Sequence, residues 1–319
     1  MENSVLHNIF FSGGKINRQN WLSADEELLE RKRNSRSARF LIICGSNFLI
    51  EGKSPLLLRS EKTESIINHN YAIYLGNLDE QDIFVLSISE KHSIHSSFLK
   101  AKASFRALAN ELSENHAALL AYAKGMIEWY RRQNFCGLCG SPTIPKHGGK
   151  IMQCQSFECN HLIFPRLDPA IIVLVTDGKS CLLGRQFDWP KRSFSTLAGF
   201  VEPGESLEDA VKREVYEETT IQIKKIAYLG SQPWPFLSSL MIGFQAEAMT
   251  KNINLLDKEL AEADWFNRDD ISSGRVILPP KNSIAYRLIE NWFDAKEGYH
   301  LEAFDVSRPF ENNKETNNQ

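Results

Sequence analysis

The chain lacks any apolar stretch of membrane length. Its longest uninterrupted apolar run is Ala170 to Val175 (AIIVLV), against the ~20 residues a spanning helix needs, which argues against an integral membrane protein. Met1 to Trp21 has no basic start followed by an apolar block, so no secretory signal is expected. Cysteine is scarce, with six residues in 319, too few for a disulfide scaffold. A strong charge of one sign is also missing. The net charge of −3 argues against nonspecific nucleic-acid binding by the whole surface and leaves a local basic patch open. There is no internal repeat, and low complexity is confined to the polar end, Phe310 to Gln319 (FENNKETNNQ), which is expected to fray. What is present is ordinary: 42% hydrophobic and 24% charged residues, the composition of a globular protein. The length suits two domains and a small module.

Short apolar runs separated by turn residues fill the first part of the chain. Phe40 to Cys44, Phe48 to Ile50, Pro55 to Leu58 and Ile83 to Ile88 read as strands. Ser97 to Gln133 has little Gly or Pro and reads as helices, with Ala117 to Arg132 as the last. Ala170 to Thr176 and Lys179 to Arg185 flank Asp177-Gly178, the pattern of a hairpin. The expected organisation is a β-rich domain ending in helices over 1–132, a cysteine module over 133–165, a mixed α and β domain over 166–300 and a polar tail over 301–319. A basic run, Arg31 to Arg39 (RKRNSRSAR), reads as a solvated loop, with a phosphate or RNA contact as the alternative.

Four of the six cysteines cluster as Cys136-x2-Cys139 and Cys154-x4-Cys159, fourteen residues apart. Gly137, Gly140 and Gly148-Gly149 supply turns around both halves. Four thiolates on two knuckles give Zn²⁺ its closed tetrahedral shell, and a closed shell is structural because no position is left for water. His161, two residues past Cys159, is the alternative fourth ligand, and four reduced thiols without metal are the bland one. Cys44 and Cys181 sit in apolar surroundings and read as buried structural cysteines.

The most informative segment is Gly199 to Ile221 (GFVEPGESLEDAVKREVYEETTI). Ser206 followed three residues later by Asp209 resembles a capping box, so a helix is expected from Leu207 to Glu218. Helical periodicity places Leu207, Ala210, Val211 and Val215 on one stripe. Glu214 and Glu218 fall inside that stripe, with Glu217 at its edge and Asp209, Lys212 and Tyr216 on the opposite side. Carboxylates turned toward a core must be protonated, paired or bound to a cation. Arg213 can orient one of them but cannot neutralise three. Hard divalent cations such as Mg²⁺ or Mn²⁺ take oxygen ligands and commonly accompany phosphate substrates. A solvated acidic helix end is the alternative.

These residues resemble a known signature. Gly199, Glu205, Arg213-Glu214-Val215, Glu217-Glu218 and Ile221 stand at the spacing of the Nudix box, with Thr220 where that family has Gly. Ser231 to Ser239 (SQPWPFLSS) resembles the SQPWPFPxS segment of NAD⁺ diphosphatases, the NADH pyrophosphatase group, with Leu237 replacing a Pro. A preceding zinc ribbon and β-rich domain belong to the same group. The resemblance implies an α+β fold: a Nudix-type α/β/α sandwich with a mixed sheet, preceded by the ribbon and the β-rich domain. It implies that Ala198 (through its carbonyl), Glu214, Glu217, Glu218 and Glu259 hold Mg²⁺ or Mn²⁺, with Glu218 polarising water and Arg213 and Glu205 in the catalytic set. It implies substrate contacts from Phe164 (reaching over from a second subunit), Phe200, Gln232, Pro233, Trp234, Pro235, Phe236, Leu237, Ser238, Ser239 and Ala285. An acidic contact of the family is replaced by Gly149.

The expected reaction is metal-dependent hydrolysis of the pyrophosphate of NAD(H) to nicotinamide mononucleotide and AMP, with removal of NAD caps from RNA 5′ ends permitted by the same chemistry. Two alternatives stand beside it: a Nudix hydrolase of another substrate such as ADP-ribose, and a zinc-ribbon RNA-binding protein with an inactive Nudix domain. A cytoplasmic homodimer is implied, with no membrane partner.

Overall fold

A computed structural model of the chain describes residues 6–7, 9–20, 24–63, 71–89, 102–109, 111–236, 238–256 and 258–307. Leu237 and the tail from Phe310 lie outside them. The described residues divide into two compact units: Met1–Ser12, Asp168–Trp234 and Ser239–Gln319 in one, Gly13–Leu167 and Pro235–Ser238 in the other.

The second of these units contains the N-terminal strands β1 (Ala38–Cys44), β2 (Asn47–Glu51), β3 (Ser54–Pro55), β4 (Leu57–Arg59), β5 (Ile73–Leu78), β6 (Gln81–Ile88) and β7 (Lys102–Ser104). They form a seven-stranded mixed sheet in the order β3-β2-β1-β6-β5, with β4 on β1 and β7 on β2. β1 and β6 run parallel at its centre. Among the described residues, helices α1 (Glu26–Arg33), α2 (Phe105–Leu108) and α3 (Glu114–Arg132) accompany it. The basic run is not the expected solvated loop. Its first half is the end of α1, where Arg31, Lys32 and Arg33 complement the helix C-terminus, and Lys32 pairs with the buried Asp82 at 2.7 Å. The cysteine module follows α3 as a small antiparallel sheet of β8 (Thr143–Lys146), β9 (Ile151–Cys154) and β10 (Leu162–Ile163).

The other unit is built on β11 (Asp168–Thr176), β12 (Ser180–Gln186), β13 (Leu197–Phe200), β14 (Ile223–Trp234), β15 (Ser239–Ala248) and β16 (Leu260–Asn267). Their order is β14-β15-β11-β12-β16, with β13 on β11, and only the β11–β15 pairing is parallel. Side chains alternate across a strand, and β11 shows the consequence. Ile171, Val173 and Val175 pack with Ala210, Val211 and Val215 of α4 (Leu207–Thr219), while Ile172 and Leu174 join Ile284, Leu288 and Ile289. Those last three belong to α6 (Ile284–Asp294), which follows the short α5 (Arg268–Ser272). The sheet is therefore covered by α4 on one face and α6 on the other, the α/β/α sandwich expected.

Both ends of α4 are set locally. The Ser206 hydroxyl accepts the Asp209 N–H at 3.1 Å, satisfying a free donor of the first turn. At the C-terminus Thr220 adopts φ 60°, ψ 10°, and its N–H reaches the Tyr216 carbonyl at 2.7 Å. The helix thus ends in the left-handed turn that a glycine would make, although the residue is β-branched. The Thr220 hydroxyl lies 3.2 Å from the Asn254 amide nitrogen and 3.4 Å from the Asn252 carbonyl.

Candidate active site

β13, the loop after it and α4 bring Glu205, Glu214 and Glu217 together. Glu218 is 4% exposed and Glu217 lies at the solvent edge, while Glu214 is largely buried. The helical stripe explains this order, since Glu214 and Glu218 share it with Val211 and Val215. Glu214 lies against the backbone of Gly199. A Cβ placed there would meet the Glu214 carboxyl carbon at 1.9 Å, so glycine makes the room that this carboxylate fills.

One guanidinium ties the cluster. Arg213 donates to both Glu205 oxygens at 2.6 and 3.1 Å, to Glu214 at 2.8 Å, to Glu217 at 3.0 Å and to the Phe200 carbonyl at 2.9 Å. Helical position alone gives it one carboxylate; the fold gives it three. Charge-assisted bonds of this kind are the strong ones. They hold the Glu205 carboxyl below its ordinary range and raise Arg213. Glu214 moves the other way. Burial raises its pKa most, Arg213 opposes this, and the charges of Glu217 and Glu259 raise it further. That repulsion shows Glu259 within electrostatic reach of Glu214. Repulsion among oxygen donors around a single guanidinium is the environment a hard divalent cation relieves.

The remaining expected residues divide. Ala198 and Phe200 are exposed on β13 beside these carboxylates, Phe200 by 58%. Phe164 is 62% exposed in the other unit. Gln232 is fully buried, and its amide is committed to the backbone: Nε2 donates to the Phe10 and Asn282 carbonyls at 3.1 and 2.8 Å, and Oε1 accepts the Ile284 N–H at 2.8 Å. This side chain is a clip on the start of α6, where direct substrate contact had been expected. Pro233 and Trp234 end β14, and Trp234 meets Phe11 edge-on at 6.2 Å. Pro235 is buried, and Phe236 is held between the Phe105 ring at 5.5 Å and the Arg106 guanidinium at 4.1 Å. Ser238 and Ser239 are partly exposed at the start of β15. Ala285 is 4% exposed within the α6 cluster, on the sheet face opposite α4, so its side chain is not brought to the carboxylates. Gly149 has φ 83°, and a Cβ there would press Ile73 and Tyr71 at 2.9 Å. An acidic side chain has no room at that position. Arg106, Phe105 and Phe10 were not singled out by sequence, since nothing local marks a residue that acts on a loop more than a hundred positions away.

The cysteines converge. The sulfurs of Cys136, Cys139, Cys154 and Cys159 all lie within 4.8 Å of one another, the one group of three or more such ligand atoms so gathered among the described residues. Two of the separations are 3.4 Å (Cys139–Cys154) and 3.8 Å (Cys136–Cys159). A tetrahedron with metal–sulfur bonds of ~2.3 Å has edges of about 3.8 Å, so the spacing fits zinc. His161 is not part of the group; its carbonyl accepts the Cys154 N–H at 2.9 Å. Hydrogen bonds from Ser141 lower the Cys139 thiol to about 6, while burial raises Cys154, so the four neighbouring thiols do not ionise together without a cation among them.

Comparison with known proteins finds three family matches along the chain. Residues 166–292 match the NUDIX domain, 37–129 the NADH pyrophosphatase-like rudimentary NUDIX domain, and 131–164 the NADH pyrophosphatase zinc ribbon domain. The chain is 34% identical over 261 residues to the NAD-capped RNA hydrolase NudC of Pseudomonas putida, covering 81% of this chain and 90% of that protein. It is 40% identical over 197 residues to the NAD-capped RNA hydrolase NUDT12 of Pongo abelii, covering 57% of this chain. The chain spans 43% of the length of that relative. A solved NUDIX hydrolase of Nitrosomonas europaea superposes with a TM-score of 0.39 at 22% identity, over 49% of this chain and 85% of that one.

Proposed function

Since the chain belongs to the NADH pyrophosphatase group of Nudix hydrolases, we propose that it cleaves the pyrophosphate of NAD(H) to nicotinamide mononucleotide and AMP. The same chemistry would remove NAD from RNA 5′ ends, as the names of its relatives say of them. The observation that carries the reading is the set of Glu205, Glu214 and Glu217 held by the single Arg213 beside β13, with Glu218 buried on the same helical stripe as Glu214 and Glu259 within electrostatic reach of Glu214.

The residues that would hold Mg²⁺ or Mn²⁺ are Glu214, Glu217, Glu218 and Glu259, with the Ala198 carbonyl. Such an ion, when bound, neutralises phosphate charge and makes its water acidic. Arg213 fixes Glu214 and Glu217 on one side and the Glu205 loop on the other, so the carboxylates meet the diphosphate already oriented. Glu218 takes a proton from the attacking water. The water oxygen bonds to phosphorus as the bridging P–O bond breaks, and the two mononucleotides leave. Phe200 offers an exposed aromatic face for the nicotinamide ring. Phe164 would supply a second ring from the partner of a homodimer. The four cysteines would hold a structural zinc. We place the protein in the cytoplasm, where cysteines stay reduced and can hold zinc; no described helix is long and apolar enough to cross a membrane.

The test is product identification on NADH, ADP-ribose and NAD-capped RNA with and without Mg²⁺ or Mn²⁺. Glu218→Gln should lower kcat by about two or more orders of magnitude with an unchanged fold. Near-normal turnover by that variant would remove Glu218 from the mechanism, and faster cleavage of ADP-ribose than of either NAD substrate would replace the substrate assignment.

A further inference from the structure

The chain between β15 and β16 leads to Glu259, and it is fastened to the end of α4. The Met249 N–H donates to the Gln222 carbonyl at 2.7 Å, and the Gln222 N–H donates to the Thr250 hydroxyl at 3.0 Å. From β16, the Trp265 indole N–H donates to the Lys251 carbonyl at 3.0 Å. Ile253 and Leu255 then pack against the cluster that contains Val211, Val215 and Ile221.

Asn254, between those two apolar residues, makes the tightest connection to the helix. Its backbone N–H donates to the Thr219 carbonyl at 3.0 Å, and its side-chain amide donates to the Thr220 hydroxyl at 3.2 Å. The same hydroxyl donates to the Asn252 carbonyl at 3.4 Å, so it acts once as acceptor and once as donor. Glycine, which the Nudix box carries at this position, has no hydroxyl with which to make this clasp. The clasp is made from a costly backbone: Thr220 is β-branched and left-handed at φ 60°. Such a conformation persists where its surroundings fix it, and it marks a place to look for function. Lys258, immediately before Glu259, is left-handed as well, at φ 61°.

Glu217 and Glu218 close α4 just before Thr220, and Glu259 follows Asn254 by five residues. The clasp therefore joins the two stretches of chain that carry these carboxylates. We propose that Thr220 and Asn254 are positioning residues, which through this clasp set the distance of Glu259 from the α4 carboxylates and hence the affinity for a divalent cation held among them. The proposal rests on the reading of Glu259 as a metal ligand under the proposed function.

The test measures Mn²⁺ binding to the full chain as purified, from the EPR signal of the free ion, beside steady-state NADH hydrolysis. Asn254→Ala and Thr220→Val should each weaken Mn²⁺ binding about fivefold, the scale of one lost hydrogen bond. Each should raise the Mn²⁺ concentration for half-maximal hydrolysis to the same extent and leave the KM for NADH at saturating Mn²⁺ unchanged. Thr220→Ser, which keeps the hydroxyl, should bind Mn²⁺ as the parent does. Glu259→Gln should weaken binding at least as much, and adding Asn254→Ala to it should cost nothing further, since the residue being positioned is already lost. Parent-like binding in Asn254→Ala, losses that add in the double variant, or a Thr220→Ser variant as weak as Thr220→Val each overturns the proposal. Parent-like binding in Glu259→Gln overturns it too and leaves NADH as substrate. A parent that binds Mn²⁺ but does not cleave NADH refutes the substrate instead, and the binding series still decides the clasp.

Discussion

Gly199→Ala isolates the positioning of one carboxylate from the fold that carries it. Gly199 sits on β13 opposite Ile171, and its φ is not in the left-handed region, so alanine is compatible with the backbone. Its Cβ would lie 1.9 Å from both the carboxyl carbon and one oxygen of Glu214. Non-bonded carbons settle at ~3.5–4.0 Å, so the carboxyl group must retreat by roughly 1.5 Å. Functional groups tolerate about 0.5 Å of misplacement, and a 1 Å error can cost ~10²-fold in rate. The expected result is therefore a fall of about a hundredfold or more in kcat/KM for NADH, equivalent to ~2.7 kcal/mol of transition-state stabilisation. The clash falls on the free end of a flexible side chain, so the fold should survive with a Tm within a few degrees of the parent. Steady-state kinetics at saturating Mn²⁺ and a thermal melt measure the two quantities. In a Glu214→Gln background the same Gly199→Ala change should cost much less, because the displaced group has already lost its charge. Retention of more than about a tenth of kcat/KM, or a full hundredfold loss on top of Glu214→Gln, would refute the idea that Gly199 acts by making room for Glu214.

Three further outcomes follow from particular residues. Thr220→Gly should stabilise the protein: a left-handed conformation costs an ordinary residue ~1–2 kcal/mol, glycine gives back ~0.5–1 kcal/mol in chain entropy, and the net gain of about 0.5–1 kcal/mol corresponds to a Tm increase of ~1–4 °C; a lower Tm would mean that the contacts to Asn252 and Asn254 outweigh the backbone strain. Glu205 has its carboxyl lowered by hydrogen bonds from Arg213, so its ionised form favours the folded state. That contribution is complete above the unfolded value of ~4.3 and disappears as pH falls through the lower folded value. Denaturant unfolding between about pH 7 and pH 3 should accordingly show a shallower loss of stability in Arg213→Ala than in the parent, and parallel curves would sink the assignment. Gently purified protein should contain about one zinc per chain by elemental analysis, and Cys154→Ser should lose it and destabilise the ribbon; metal-free protein with four freely titrating thiols would contradict the tetrahedral reading.

The parts of this protein legible in the sequence are those with short-range, periodic causes. The Ser206 cap, the core-facing stripe of Val211 and Val215 and the hydrophobic strand at Ala170 to Val175 each follow from neighbours within a few positions, and the structure contains all of them. α1 escaped the same reading because only Leu29 on it is buried, so its apolar periodicity is weak against six charged residues. The Asp177-Gly178 turn was placed correctly, but the connection is longer than two residues because Asp177 accepts the N–H groups of both Lys179 and Ser180.

What the sequence alone determined was the chemistry on offer: four sulfurs at ribbon spacing, and carboxylates that helical repetition must turn toward a core. What only the tertiary structure decided was where those groups find their partners. Arg213 reaches Glu205 and the Phe200 carbonyl because β13 and its loop fold back along α4. Gln232 became a clip on α6, since the carbonyl of Asn282 and the N–H of Ile284 arrive beside it from fifty residues away. Gly149 is closed to an acidic side chain by Ile73 and Tyr71. Repetition along a helix is a property of adjacent residues, whereas the neighbour that accepts a given proton is chosen by packing across the chain, and no local pattern encodes it.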